Sequence, residues 1–160
     1  MGENIQNSKD IDYNTFEQIL EMDDDDDREF SKEIVYSFFS QAESTIEEMK
    51  QGVYELSIPH KVWSLLPNVS MCYRKARDLP KLSSLGHFLK GSSATLGLTK
   101  IKDACEAIQH LGAGMDEPAH RNITDPQESL TRIQKKLGLM ETDYESAKKT
   151  LRNFYGGQPH

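Results

Sequence analysis

The chain has 160 residues, of which 36% are hydrophobic and 28% charged, and its formal net charge is −7. That length suits one domain with a real core, while the low hydrophobic share assigns part of the chain to tails, long loops or exposed helix faces. The acidic balance excludes a surface built to neutralise nucleic-acid phosphates or to settle on anionic lipid, and no run approaches the roughly 18 apolar residues that cross a bilayer.

The opening residues Met1–Asp10 are polar and carry no apolar stretch of the signal-peptide kind, so residues 1–12 read as a disordered tail. From there the apolar positions recur at intervals of three and four, which predicts helices. A short first helix covers Tyr13–Met22, with Phe16, Ile19 and Leu20 on one side. An acidic run, Asp23–Asp27, leads into a second helix expected over Asp27–Gln51. Its apolar ladder is Phe30, Ile34, Phe38, Ala42, Thr45 and Met49, flanked by Val35, Phe39 and Ile46, wide enough to face a core. Gly52–Tyr73 breaks the pattern: it holds Pro59, Pro67 and the single tryptophan, Trp63, with no clear period.

A third helix starts near Pro80, a suitable first-turn residue, and stops at Gly97, with Leu82, Leu85, Leu89 and Leu96 as its apolar side. A fourth is expected from Thr99 as N-cap, with Ile101, Cys105, Ile108, Leu111 and Met115 as its stripe, followed by a polar loop over Asp116–Thr124. Asp125-Pro126-Gln127-Glu128 opens the last helix as a cap, a first-turn proline and the acid of a capping box. The apolar spacing then runs from Leu130 to Phe154, a helix on the order of 45 Å long at ~1.5 Å per residue. Residues 156–160 read as a second disordered tail. The sum is an all-α chain: an antiparallel up-down four-helix bundle over residues 13–155, with a short additional N-terminal helix.

The chemistry-bearing stretch runs from Ser83 to Ala94. At about 100° per residue, His87 lies about 200° from Leu85 and Leu89 and points outward. Its neighbours three and four residues away are Ser83, Ser84, Lys90 and Gly91, with Ala94 one turn further. The imidazole therefore stands on a strip of small residues beside one cation. Gly91 in a helix interior costs about 1 kcal/mol relative to alanine, and close approach of another protein is one reason to keep it. Imidazole, with a reference pKa of about 6.5, is available in its neutral form near pH 7 and can attack a phosphoryl group. Lys90 can balance the charge on the phosphoryl oxygens. A lone exposed histidine on a helix, taken alone, is usually a plain surface residue.

The run His87-Phe88-Leu89-Lys90-Gly91-Ser92-Ser93-Ala94-Thr95-Leu96-Gly97-Leu98 resembles the signature of histidine-containing phosphotransfer (HPt) domains: His, two residues, Lys-Gly-Ser/Ala, then small and apolar positions. The likeness continues through Cys105-Glu106-Ala107-Ile108-Gln109-His110-Leu111-Gly112. Met22–Lys32, an acidic run followed by Arg28-Glu29-Phe30-Ser31-Lys32, is similar to the fungal members, which serve osmotic and oxidative stress signalling. The resemblance covers about Tyr13–Gln51 and Leu79–Met115 closely, and the last helix by pattern.

It implies a phosphorelay intermediate of two-component signalling. His87 is the phosphorylated nucleophile, accepting from the receiver domain of a hybrid sensor histidine kinase and passing to that of a response regulator. Lys90 is the charge-balancing neighbour, and Gln109 on the adjacent helix is a hydrogen-bonding group near the phosphohistidine. Receivers are expected to dock on Gly91, Ser83, Ser84 and Ala94, and on Phe16, Ile19 and Leu20 of the first helix. The resemblance further implies a monomer in cytoplasm and nucleus, with no cofactor of its own and magnesium on the receiver. One departure is Ala113, where fungal relatives often carry a basic residue; this puts the lifetime of the phosphohistidine in question. The alternatives are an adaptor that binds receivers without phosphorylation, and a bundle scaffold that binds none.

The remaining candidates carry less. The Asp23–Asp27 run lacks the spaced ligands and glycine of a calcium loop and suits a helix N-terminus. His60, His110, His120 and His160 lack metal-ligand spacing and read as surface residues. The two cysteines, Cys72 and Cys105, form no C-x-x-C pair and suit a reducing compartment. Cys105, Tyr36 and Tyr144 read as packing residues. No Walker A or kinase glycine loop is present, so no ATP-dependent activity is expected. Gly52–Tyr73 exceeds the short link expected between neighbouring helices by roughly 20 residues. It reads as a flexible insertion or as translated intron sequence, with Trp63, Leu65 and Leu66 available to cover apolar surface or bind a partner.

Overall fold

The computed structural model describes residues 5–24, 28–59, 62 and 79–156. Among the described residues, five α-helices run in chain order: α1 (Tyr13–Leu20), α2 (Glu29–Ser57), α3 (Leu79–Thr95), α4 (Thr99–Gly112) and α5 (Pro126–Phe154). A small hairpin, β1 (Met115–Asp116) against β2 (Arg121–Asn122), joins α4 to α5.

The cross-helix contacts define an antiparallel bundle. Gln41 meets Ser92 and Glu48 meets Lys81 between α2 and α3. Ser83 and Lys90 on α3 reach Gln109 and Glu106 on α4. Cys105 Sγ lies 3.3 Å from Met140 Sδ, with Lys100 near Asp143, between α4 and α5. Tyr155 bonds Ser31 and Lys50 pairs with Glu141, which closes α5 back onto α2. Each of α2 to α5 thus lies beside its sequence neighbour in the up-down arrangement, with α1 set against the end of α5 through Phe16 and Phe154, and the core runs through the middle from Ile5 to Leu151.

Local chemistry explains the boundaries. Asp125 caps α5, its carboxylate accepting from the Gln127 amide at 2.9 Å, with Pro126 in the first turn. Gly97 takes φ +69°, the left-handed conformation that ends α3. An added Cβ there would lie 2.5 Å from the Asp12 carbonyl, because the Asp12 amide donates to the Gly97 carbonyl.

Several expectations are corrected. The second helix does not end at Gln51. It continues through Gly52 to Ser57 because Val53 extends the buried stripe and Leu56 packs against it. Of the rest of the expected insertion, residues 60, 61 and 63–73, with Trp63, Leu65, Leu66 and Cys72, lie outside the described residues, as do residues 74–78. The N-terminal segment is not a loose tail from Ile5 onward. Ile5–Asn7 form a 3-10 turn, Ile5 and Ile11 are buried, and Asp10 accepts from Lys100 and Ser146. Residues 1–4 and 157–160 are not described.

Thr99 is not the cap of α4; Leu98 holds that position and Thr99 is the first helical residue. Asp116–Thr124 is more than a polar loop, since Ile123 is buried and the buried Asp116 carboxylate takes two bonds from Arg132, at 2.6 and 2.9 Å. Those bonds, against the effect of burial, hold the Asp116 carboxyl below its usual range, with further help from the nearby Arg121 charge. Glu128 makes no capping box because it pairs with Arg121 and Arg132.

Candidate functional site

The core-facing residues of α3 are Leu82, Gly86, Leu89 and Ser93. Leu85, expected in the core, is half-buried, because Gly86 faces α4 instead. A Cβ on Gly86 would meet the Cys105 carbonyl at 2.8 Å and the Gln109 amide at 2.9 Å. A Cβ on Gly112 of α4 would meet the Leu79 carbonyl and the Ser83 amide, both at 2.7 Å. Two glycines, one per helix, therefore bring the α3 and α4 backbones into contact. The Ser83 hydroxyl ties this seam by donating to the Gln109 carbonyl at 2.7 Å.

His87 follows Gly86 and is exposed, so its ring emerges at the rim of the rigid seam. Lys90, one turn along, places its ammonium 3.3 Å from Glu106 of α4. Glu106 and Gln109 are three apart and share a face of α4. The Gln109 Oε1 is buried with no hydrogen-bond partner among the described residues, an acceptor that still lacks its donor. Among the described residues nothing lies within 4 Å of a Cβ added at Gly91, and Ser84 and Ala94 are exposed. Thus His87, Ser84, Gly91 and Ala94 are exposed on α3, while Lys90 and Gln109 lie where α3 meets α4. The Ser83 hydroxyl belongs to the seam.

The docking residues expected on α1 need correction. Phe16 is fully buried and Ile19 is 5% exposed, while Leu20 packs partly against the core. Phe16 stacks edge-on against Phe154, so it anchors α1 and offers nothing to a partner. The available apolar surface lies elsewhere. Phe30 on α2 is 47% exposed and Phe88, next to His87, is 51% exposed. Between α2 and α3 lies an open groove of about 480 Å³, with Phe30, Ile34, Ser92, Thr95 and Leu96 among its lining residues and Glu33 at its edge. The Ser92 hydroxyl donates to Gln41 Oε1 at 2.6 Å across its floor. The sequence did carry a signal for this surface. Phe30 and Ile34 sit in the ladder of α2, yet the core face at that end is Ser31, Val35, Phe38 and Phe39, one residue round.

The other candidates fall into place as structure. Asp23 accepts from the Ser31 amide at 2.7 Å and so serves the start of α2. Among the described residues no group of three His, Cys, Asp or Glu side chains is placed to hold a metal. No described helix is long and apolar enough to cross a membrane. Cys105 is buried against Met140, and burial pushes its thiol up to about 12. Tyr144 is buried in an aromatic cluster with Phe38 and Phe39, and Tyr36 is half-buried beside Phe39. Burial raises the Tyr144 hydroxyl strongly, reinforced by the Glu43 carboxylate at 3.1 Å. His110 pairs with Glu117, His120 is exposed, and His60 and His160 are not described.

Comparison with known proteins adds independent findings. The sequence profile of the Hpt domain matches residues 33–145. The chain is 40% identical over 151 residues to Multistep phosphorelay regulator 1 of Schizosaccharomyces pombe, covering 94% of this chain and 44% of that protein. It is 42% identical over 108 residues to the phosphorelay intermediate protein YPD1 of Candida albicans, covering 68% of this chain and 47% of that protein. The YPD1 protein of Saccharomyces cerevisiae is 36% identical over 106 residues, which is 66% of this chain and 51% of that one. The chain thus spans about half the length of the curated relatives it matches. Among solved structures, S. cerevisiae Ypd1 bound to the receiver domain of its downstream response regulator Ssk1 superposes with a TM-score of 0.68 at 31% identity. That match covers 92% of this chain and 95% of the other. Yeast Ypd1p alone gives a TM-score of 0.69 at 26% identity, over 98% and 100% of the two chains.

Proposed function

The chain belongs to the Hpt domain family, and from that premise we propose that it is a phosphorelay intermediate. It accepts a phosphoryl group on His87 from the receiver domain of a hybrid sensor histidine kinase and passes it to the receiver domain of a response regulator. The observation that carries this reading is an exposed His87 on a helix locked to its neighbour, with Lys90 one turn along and open space over Gly91.

The mechanism follows from that arrangement. The neutral imidazole attacks the aspartyl phosphate of a docked receiver through Nε2, the outer end of the ring. The Nε2–P bond forms as the P–O bond to the aspartate breaks. The aspartate leaves as a carboxylate, and the ring keeps its Nδ1 proton. The reverse sequence delivers the group to a second receiver. The receiver brings magnesium and most of the charge stabilisation, and this chain contributes a nucleophile held in one place. Lys90, one turn from His87, is the cation for the phosphoryl oxygens, and Gln109, whose buried amide oxygen has no partner among the described residues, is the candidate hydrogen-bonding group of the adjacent helix.

The docking surface joins the Gly91 side of α3 to the groove between α2 and α3. Phe30 and Phe88 are its apolar anchors, and Gly91, Ser84 and Ala94 give the receiver clearance. The protein acts as a single chain in cytoplasm and nucleus, without a cofactor of its own.

The test is transfer of radiolabelled phosphate from a phosphorylated fungal receiver domain to the purified chain, with His87→Gln alongside. Acid-labile, alkali-stable label on the wild type and none on the variant supports the reading. No label on a folded wild type, with several receivers tried, favours the adaptor that binds without transfer. Equal label on the variant assigns the chemistry to another residue.

A further inference from the structure

The Lys90 ammonium already has a carboxylate partner. Its Nζ lies 3.3 Å from Glu106 Oε1, and the two side chains are 26% and 46% exposed. The pair crosses the α3–α4 seam, where Gly86 brings the backbones together, so neither side chain is a loose surface arm. The next cation along α4, Lys102, is turned to Asp103 at 3.3 Å. The position after Gly112 is Ala113, which adds no charge.

We propose that Glu106 is a positioning residue that competes with the phosphoryl group for Lys90, and so sets how long and to what extent His87 stays phosphorylated. This inference rests on the reading of His87 as the phosphoryl carrier. The charge count gives the direction. Lys90 and Glu106 together are neutral. When the Nε2–P bond forms and the receiver aspartate departs as a carboxylate, the ring keeps its Nδ1 proton and becomes cationic, so a phosphoryl dianion on an imidazolium, net charge −1, stands beside this neutral pair. Lys90 has three N–H donors but one positive charge to share, so the carboxylate and the phosphoryl oxygens oppose each other across it. Glu106 also holds the ammonium at the seam before transfer, which keeps it from wandering into solvent. The net result is a site that accepts the phosphoryl group without retaining it strongly, as a relay that must hand the group on requires.

Glu106→Gln tests this, since it keeps shape and a carbonyl oxygen for Lys90 and removes the charge. The full chain is labelled from a phosphorylated receiver and freed of it, and the half-life of the phosphohistidine is measured. The equilibrium partition of label between receiver and chain is measured separately. Both should rise by about two- to fivefold, the range expected of a partly exposed charge pair. In a Lys90→Ala background the same Glu106 substitution should change neither quantity. An unchanged or shortened half-life in a variant that melts like the wild type overturns the proposal. So does an equal gain in the Lys90→Ala background, because the effect would then not pass through the lysine. Absence of label on wild-type His87 would instead defeat the phosphorelay reading itself, which separates the two failures.

Discussion

Gly91 and Gly86 lie five residues apart on α3, and the structure gives them opposite expectations when each is changed to alanine. Glycine in a helix interior costs about 0.5–1 kcal/mol relative to alanine through backbone entropy. At Gly91 an added methyl meets nothing within 4 Å among the described residues, so Gly91→Ala should recover most of that amount. For a chain of this size, at about 2–4 °C per kcal/mol, the gain corresponds to a rise in Tm of about 1–4 °C. At Gly86 the same methyl would sit 2.8 and 2.9 Å from backbone atoms of Cys105 and Gln109. Backbone cannot rotate away, so the seam must open. An overpacking cost of about 1–3 kcal/mol then outweighs the propensity gain, and Tm should fall.

Calorimetry of the two variants measures this directly, and transfer kinetics complete the case. Gly91→Gln should keep the melting behaviour of a folded chain while receiver-dependent labelling of His87 slows, because a long side chain occupies the docking face. A Gly91→Ala chain no more stable than wild type, or a Gly91→Gln chain labelled at the wild-type rate, would refute the reasoning that this glycine is kept for a partner's approach.

The buried and exposed aromatics should separate fold from docking. Phe16→Ala should cost about 3–5 kcal/mol of stability, since the ring is fully buried. Phe30→Ala and Phe88→Ala should leave Tm within a degree or two but weaken receiver binding about tenfold, as titrated by fluorescence anisotropy; aromatic anchors typically carry such interface energy. The Asp116 carboxyl is held below its unfolded value of about 3.9. Its contribution is therefore complete above that pH and lost as pH falls through the lower folded value. Asp116→Asn should lower stability at neutral pH and flatten the decline of Tm as pH falls below about 4; an unaltered acid profile would count against the Arg132 clamp. With Cys72 replaced by serine, the remaining thiol at Cys105 should resist alkylation near pH 8 until the chain unfolds, because burial holds it protonated.

Much of the architecture is written in local pattern. Spacings of three and four located all five helices, and Asp125-Pro126 marked the start of α5 to the residue. The His87–Leu98 run singled out the helix that bears the site, and angular spacing alone turned His87 outward, since 100° per residue is a property of any helix. Periodicity failed where a stripe is wider than the surface it must cover. It placed Phe30 and Ile34 in the core, but the face of α2 that meets its neighbours there is Ser31, Val35, Phe38 and Phe39, which leaves Phe30 on an open groove and Ile34 only partly buried. It also offered Phe16 and Ile19 to a partner, because an amphipathic helix reads the same whether its apolar face meets the bundle or a receiver.

The relations across helices were decided by tertiary structure. That Gly86 and Gly112 bring two backbones into contact, that Lys90 meets Glu106, and that Asp116 is clamped by Arg132 all join residues 16 or more positions apart. A sequence states which side chains can pair. The closeness of the packed helices selects which of them do.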